Sequence, residues 1–175
     1  MGFTGPSIKL EDVLRNREER VSRIKTALSS NSSIISVTVN MMGPVKNCKE
    51  ARLFFKEGLA LLLLNTSFSL LWCDEERVTG PEALVLSPLN SLETKKITMA
   101  LEDSIPWMRM LDLDVITEDG TMSRSSITKE ERPCLVCGKK GKGCASRRLH
   151  SLEQMYEVVE KLYNELNNSR RPSNG

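Results

Sequence analysis

At 175 residues with 39% apolar side chains, the chain fits one compact domain and can bury a core of ordinary size. Its 25 Lys and Arg against 23 Asp and Glu leave a formal charge of +2, which excludes a chain-wide pull toward nucleic acid or membrane and makes any electrostatic message local. The longest apolar run, Leu59 to Leu64, is far too short to span a bilayer, and Met1 to Leu10 lacks the basic and apolar regions of a secretory signal. Five cysteines, three of them between Cys134 and Cys144, suit a reducing compartment with a metal or thiol role better than a disulfide framework, so a soluble cytoplasmic protein is predicted.

In chain order, Leu10, Val13, Leu14, Val21, Ile24 and Leu28 recur at helical spacing between Arg15, Arg20 and Lys25, which predicts an amphipathic first helix with its apolar stripe on the core. Ile35, Val37 and Val39 alternate with Ser36 and Thr38 as in a half-buried strand, and Gly43-Pro44 closes it with a turn that leaves Lys46 in a loop. Lys49 to Leu64 reads as a helix through Phe54, Phe55, Leu59 and Leu62, and Phe68 to Cys73 as a core-packing strand. Gly80-Pro81 predicts an exposed turn that adds the carboxylate of Glu82, ahead of a short apolar run, Ala83 to Leu86. Ser91 to Leu101 is helical until Pro106 blocks continuation. Met110 to Thr117 is a strand, and Asp119-Gly120 tolerates the positive φ of a tight hairpin leading into Thr121 to Ser123. Ser151 and Gln154 have capping-box spacing ahead of a last helix, whose apolar stripe runs from Leu152 to Leu166. The pattern ends near Asn167. It predicts one domain over 1–168 with a disordered tail at 169–175, of α+β class, with a mixed, largely antiparallel sheet, a Cys-rich loop and a C-terminal helix.

Two constellations carry chemistry. Asp112 and Asp114 stand two apart in an apolar strand, so both carboxylates leave one face with Cα atoms about 7 Å apart. A divalent cation offsets their repulsion, and hard oxygen ligands on a rigid strand suit Mg²⁺; the alternative is an ordinary strand with a solvated face. Arg109 before the pair and Arg124 beyond the hairpin are candidates for phosphate oxygens, as is the ammonium of Lys46, although each also suits ordinary surface or turn chemistry. The second constellation is Cys134, Cys137, Cys144 and His150, with Gly138, Gly141 and Gly143 between. It has ligands for a tetrahedral, structural Zn²⁺, the alternative being reduced thiols in a basic loop.

Together these segments resemble the citrate lyase holo-acyl-carrier-protein synthases, also described as apo-citrate lyase phosphoribosyl-dephospho-CoA transferases. The resemblance runs through Arg17-Glu18 and Arg20, Asn40, Gly43-Pro44-Val45-Lys46, Thr79-Gly80-Pro81-Glu82-Ala83, and Arg109 with Asp112-Leu113-Asp114-Val115. It continues through Asp119-Gly120, Ser123-Arg124-Ser125, Arg132-Pro133-Cys134-Leu135-Val136-Cys137-Gly138, Cys144, Arg147 and His150-Ser151-Leu152. One position departs: Met108 stands where the family has glycine.

The resemblance implies a nucleotidyltransferase-like fold and a reaction on 2′-(5″-triphosphoribosyl)-3′-dephospho-CoA. A serine of the apo-citrate lyase acyl-carrier (gamma) subunit would attack the α-phosphorus and release diphosphate. Asp112 and Asp114 would then be catalytic and hold Mg²⁺, with Arg109, Arg124 and Lys46 on phosphates. Three other readings compete. The synthase for malonate decarboxylase uses the same arm and chemistry. A non-catalytic scaffold would release no diphosphate. A zinc-containing nucleic-acid module would use Lys139, Lys140, Lys142, Arg147 and Arg148, but the near-neutral charge and the absence of stacking aromatics in that loop argue against nucleic acid as a partner.

Overall fold

The computed structural model describes residues 2–28, 32–65, 67–130, 132–139, 143–144 and 147–170. Strand-forming runs rich in Val, Ile and Leu give β1 (Ser33–Val39), β2 (Ser69–Asp74), β3 (Glu82–Ser87), β4 (Leu111–Thr117) and β5 (Gly120–Met122). They form one five-stranded sheet in the order β2-β3-β1-β4-β5, antiparallel at every pairing. The helices are α1 (Leu10–Ala27), α2 (Lys49–Leu63), α3 (Ser91–Ser104) and α4 (Leu152–Ser169), with 3₁₀ turns at Pro106–Met110 and Arg124–Ser126. The α+β class follows as predicted. Among the described residues no helix is long and apolar enough to cross a membrane.

Strand alternation gives the sheet two chemically different faces. In-register pairs put Ile35 and Val37 beside Val85, Ala83, Val115 and Leu113 on one face. That face packs under α2 and α4 through Phe54, Phe55, Leu62, Val159 and Leu166, each buried. Full burial of such side chains stabilises by roughly 1.5–3 kcal/mol apiece, which is why this face forms the core. On the other face lie Ile34, Ser36 and Thr38, opposite Leu86, Leu84 and Glu82 on β3 and Ile116, Asp114 and Asp112 on β4. Only the end near Ile34 and Leu84 is covered with apolar groups, by Ile24 of α1.

Here the first helix departs from expectation. Only the C-terminal end of its apolar stripe packs on apolar residues, through Ile24 with Ala27 and Leu28, while Leu10, Leu14 and Val21 are 69, 50 and 51% exposed. Along the rest of its length the helix is held by charge. Arg20 donates from Nε and Nη2 to Glu82 at 2.8 and 2.9 Å, Arg23 donates at 3.0 Å and Asn16 at 3.2 Å. Arg77 binds Asn16 and Glu19, and the Arg23 guanidinium lies 4.1 Å from the centre of the Trp72 ring. The Gly80-Pro81 turn likewise does not expose Glu82, which opens β3 with 1% exposure. Burial works to raise its pKa, but the hydrogen bonds and charge of Arg20, with Asn16 and Arg23, outweigh it and hold the carboxyl below its usual range. The Phe68 to Cys73 strand also differs, as β2 is an edge strand with Leu70 and Leu71 half exposed.

β5 covers β4 only from Val115 to Thr117, so Leu113 would present an unpaired backbone edge. α3 closes it with Lys95 and Glu102, seven residues apart on one helix face. The Leu113 N–H donates to Glu102 Oε1 at 2.9 Å, and Lys95 Nζ donates to the Leu113 carbonyl at 3.2 Å. The hairpin forms at Gly120 with φ +115°, and the capping box forms between Ser151 and Gln154. α4 continues through Asn167 to Ser169, and residues 171–175 of the expected tail lie outside the described residues.

Candidate active site

With Leu111, Leu113 and Val115 turned into the core, β4 must present Asp112 and Asp114 on the opposite face. Asp112 is half-buried and Asp114 exposed. Burial pushes the Asp112 carboxyl above its usual range, the charge of Asp114 adds to this, and Arg132 partly opposes it. Asp112 therefore carries a charge that its surroundings disfavour, and Arg132 relieves this only in part.

The carboxylates form part of a cavity of about 1330 Å³, large enough for a ligand bigger than an ordinary drug-sized molecule. Lys95 and Glu102 adjoin them, and Arg109, Arg124, Arg132 and Arg148 supply guanidinium groups. Met42, Met122, Leu135, Val136, Leu152 and Met155 form an apolar lining. Gly43 also lines the cavity with φ +75°, and a Cβ there would run into the Tyr156 hydroxyl and approach Leu152 Cδ1 to 3.3 Å. Only glycine suits that turn.

The structure thus brings together Asp112, Asp114, Arg109 and Arg124. Arg109 sits on the 3₁₀ turn and donates to the Pro133 carbonyl; burial, then the charge of Arg132, lowers its pKa. Arg124 is held by carboxylates, donating to Asp103 at 2.7 Å and Glu102 at 3.0 Å. Lys46 is not among the cavity-lining residues: its ammonium turns back to the Met41 carbonyl, and burial lowers its pKa. Met108 is fully buried in the main core and does not line the cavity, so its side chain leaves that space clear.

Lys95, Glu102 and Arg132 line the cavity and were not among the candidates that the sequence offered. Arg132-Pro133 lay within the cysteine motif, which is the one signal that marked it; Lys95 and Glu102 looked like ordinary helix charges.

Cys134, Cys137, Cys144 and His150 also converge, their ligand atoms all within 4.8 Å of one another. Cys137 Sγ and Cys144 Sγ are 3.6 Å apart, close to the edge of about 3.8 Å expected for a tetrahedron with Zn–S bonds of about 2.3 Å. Gly138 turns the loop with φ +71°, and its N–H donates to the Cys134 carbonyl at 2.9 Å. His150 Nε2 is buried without a hydrogen-bond partner. The Cys144 thiol is pushed up to about 11, first by its hydrogen bond with Cys137 and then by burial, whereas Cys134, although burial works to raise it, is held below its usual value by hydrogen bonds from the Cys137 and Val136 backbone. This cluster is able to hold a metal ion. Cys134, Cys144 and His150 also border the Asp112 cavity, so the two constellations form one site. Of the basic run, Arg148 lines the cavity with φ +49°, while Lys140 and Lys142 lie outside the described residues.

Known proteins share this sequence over most of its length. The profile of the family described as apo-citrate lyase phosphoribosyl-dephospho-CoA transferase matches residues 8–166. A probable apo-citrate lyase phosphoribosyl-dephospho-CoA transferase of Streptococcus pyogenes serotype M5 (strain Manfredo) is 33% identical over 170 residues, covering 91% of this chain and 88% of that protein. The apo-citrate lyase phosphoribosyl-dephospho-CoA transferase of Escherichia coli O9:H4 (strain HS) is 29% identical, covering 91% of each chain. Protein CitXG of Haemophilus influenzae is 31% identical over 166 residues, which span 90% of this chain but 35% of that longer protein. The chain belongs to the apo-citrate lyase phosphoribosyl-dephospho-CoA transferase family.

Proposed function

We propose that this protein is a nucleotidyltransferase that moves the phosphoribosyl-dephospho-CoA group from 2′-(5″-triphosphoribosyl)-3′-dephospho-CoA to a serine of the apo-citrate lyase acyl-carrier subunit. The observation that carries this reading is the Asp112–Asp114 pair facing a large cavity with guanidinium groups beside it and an apolar lining. The serine oxygen bonds to the α-phosphorus, the bond from that phosphorus to the bridging oxygen of the β-phosphate breaks, and diphosphate leaves. Asp112, half-buried on the cavity wall beside Asp114, accepts the serine proton. The guanidinium groups hold phosphate oxygens, and the methionine-rich lining takes the pantetheine arm.

Mg²⁺ fits the repelling carboxylates Asp112 and Asp114, where it would neutralise charge on the phosphates. Zn²⁺ fits Cys134, Cys137, Cys144 and His150, whose buried Nε2 lacks a partner. It is assigned a structural role, tying the cavity wall to the start of α4. A cytoplasmic setting keeps these thiols reduced.

Incubation with apo carrier subunit, triphosphoribosyl-dephospho-CoA and Mg²⁺ should add the mass of the prosthetic group to the carrier in intact-mass spectra, with one diphosphate released per transfer. No mass gain would overturn the reading, and gain only on the malonate decarboxylase carrier would reassign the partner. For the zinc site, protein purified without chelator should contain about one equivalent of zinc, and Cys144→Ser should lose most of it with a lower Tm. Zinc far below one equivalent in the unchelated protein would remove the assignment.

A further inference from the structure

Arg109, Arg124 and Arg132 all line the cavity, but their hydrogen bonding separates them. Arg124 is engaged by Asp103 and Glu102, and Arg109 lends Nη2 to the Pro133 carbonyl. Arg132 is different. Its Nη1 lies 3.7 Å from Asp112 Oδ1 and its Nη2 lies 3.5 Å from Glu102 Oε2, ion-pair contacts too long or poorly aligned to count as hydrogen bonds. Its Nε and Nη2 are buried, and both lack any hydrogen-bond partner. These two groups form the side-on edge of the guanidinium, the edge that grips two oxygens of one oxyanion. Glu102 is not free to swing round and supply them. Its Oε1 accepts the Leu113 N–H at 2.9 Å, and its Oε2 accepts from Arg124 at 3.0 Å. Buried donors without a hydrogen bond are rare, and here they belong to a side chain that lines the cavity.

We infer that Arg132 is the anchor for the leaving diphosphate, its guanidinium turning to offer Nε and Nη2 to the anion's oxygens beside the carboxylate pair. The inference deepens the proposed function and rests on it for the identity of the anion. Negative charge grows on the diphosphate as the α-phosphorus bond to the bridging oxygen breaks, so a fixed guanidinium at that point favours departure. Arg132 also stands two residues before Cys134, and Pro133 between them receives Arg109, so the cysteine loop carries the anchor into place.

The test is calorimetric titration of wild-type protein, Arg132→Gln and Arg132→Lys with inorganic diphosphate and, separately, with dephospho-CoA, which lacks the triphosphate. Arg132→Gln should weaken diphosphate binding by roughly tenfold or more, the loss expected for a charge-assisted pair, with dephospho-CoA binding within about twofold of wild type. Arg132→Lys keeps the charge beside Asp112 and Glu102 but not the fork, and should fall between the two; it serves as the deciding variant if the Gln form does not fold. Unchanged diphosphate affinity in whichever variants fold would overturn the inference, as would an equal loss for dephospho-CoA. Arg132-dependent diphosphate binding in a wild-type protein that never modifies a carrier would leave the anchor standing and defeat the transfer reaction. Transfer activity with diphosphate binding indifferent to Arg132 would do the reverse.

Discussion

The double replacement Asp112→Asn and Asp114→Asn is expected to lower prosthetic-group transfer by on the order of 10³-fold or more, while the protein remains folded. Asparagine preserves shape and much of the hydrogen bonding but removes both negative charges, and with them the electrostatic case for a divalent cation at the α-phosphate. It also removes the proton acceptor. The fold should tolerate the change because both residues lie on the sheet face away from the core, with Asp114 exposed and Asp112 only half-buried. Burial and Asp114 together already disfavour ionised Asp112, so neutralising the pair costs the metal-free protein little stability. Intact-mass time courses would give the rate, and thermal unfolding the control. A double variant that transfers at the wild-type rate would end the assignment of these carboxylates to catalysis.

Glu82→Gln is expected to act in the opposite way, on stability first. Glu82 is buried and accepts hydrogen bonds from Arg20, Arg23 and Asn16, so its neutralisation leaves Arg20 without its counter-charge and Arg23 with only the longer pair to Glu19 at 3.6 Å. Breaking a buried ion pair costs about 3–5 kcal/mol, and the low end applies here because the Arg20 and Arg23 side chains remain 30 and 20% exposed. For a chain of this size that corresponds to a fall in Tm of roughly 6–12 °C. The pH dependence has a definite sign. The folded carboxyl is held below its usual range, so its contribution is complete above the unfolded value of about 4.3 and is lost as pH falls through the lower folded value. The difference in Tm between wild type and Glu82→Gln should therefore be constant from about pH 6 to 8 and shrink below about pH 4. Equal Tm values at neutral pH would show that α1 is held by something else. Because Glu82 and Asp112 flank Thr38 on neighbouring strands of one face, loosening this anchor should also lower transfer activity.

Local patterns were enough for much of this protein. The two-residue alternation of β1 and β4, the Asp119-Gly120 hairpin, the Ser151–Gln154 capping box and the helical stripe of α4 depend on neighbours a few residues away, and all appear where their periods place them. The ordered motifs were likewise enough to identify the family and to gather Asp112, Asp114, Arg109 and Arg124 as candidates. Tertiary packing decided the rest, because ionic partners are chosen by proximity in space. Glu82 meets Asn16 across 66 residues and Arg23 across 59, and this explains why α1 docks through charge and leaves Leu10, Leu14 and Val21 in water. The same physics engaged Arg124 with Asp103 and Glu102, turned Lys46 toward the Met41 carbonyl, and left Arg132 Nε and Nη2 buried without hydrogen bonds. Sequence spacing could name the residues of the carboxylate and cysteine constellations; only the folded chain showed that Asp112 and Asp114 share a cavity with Cys134, Cys144 and His150.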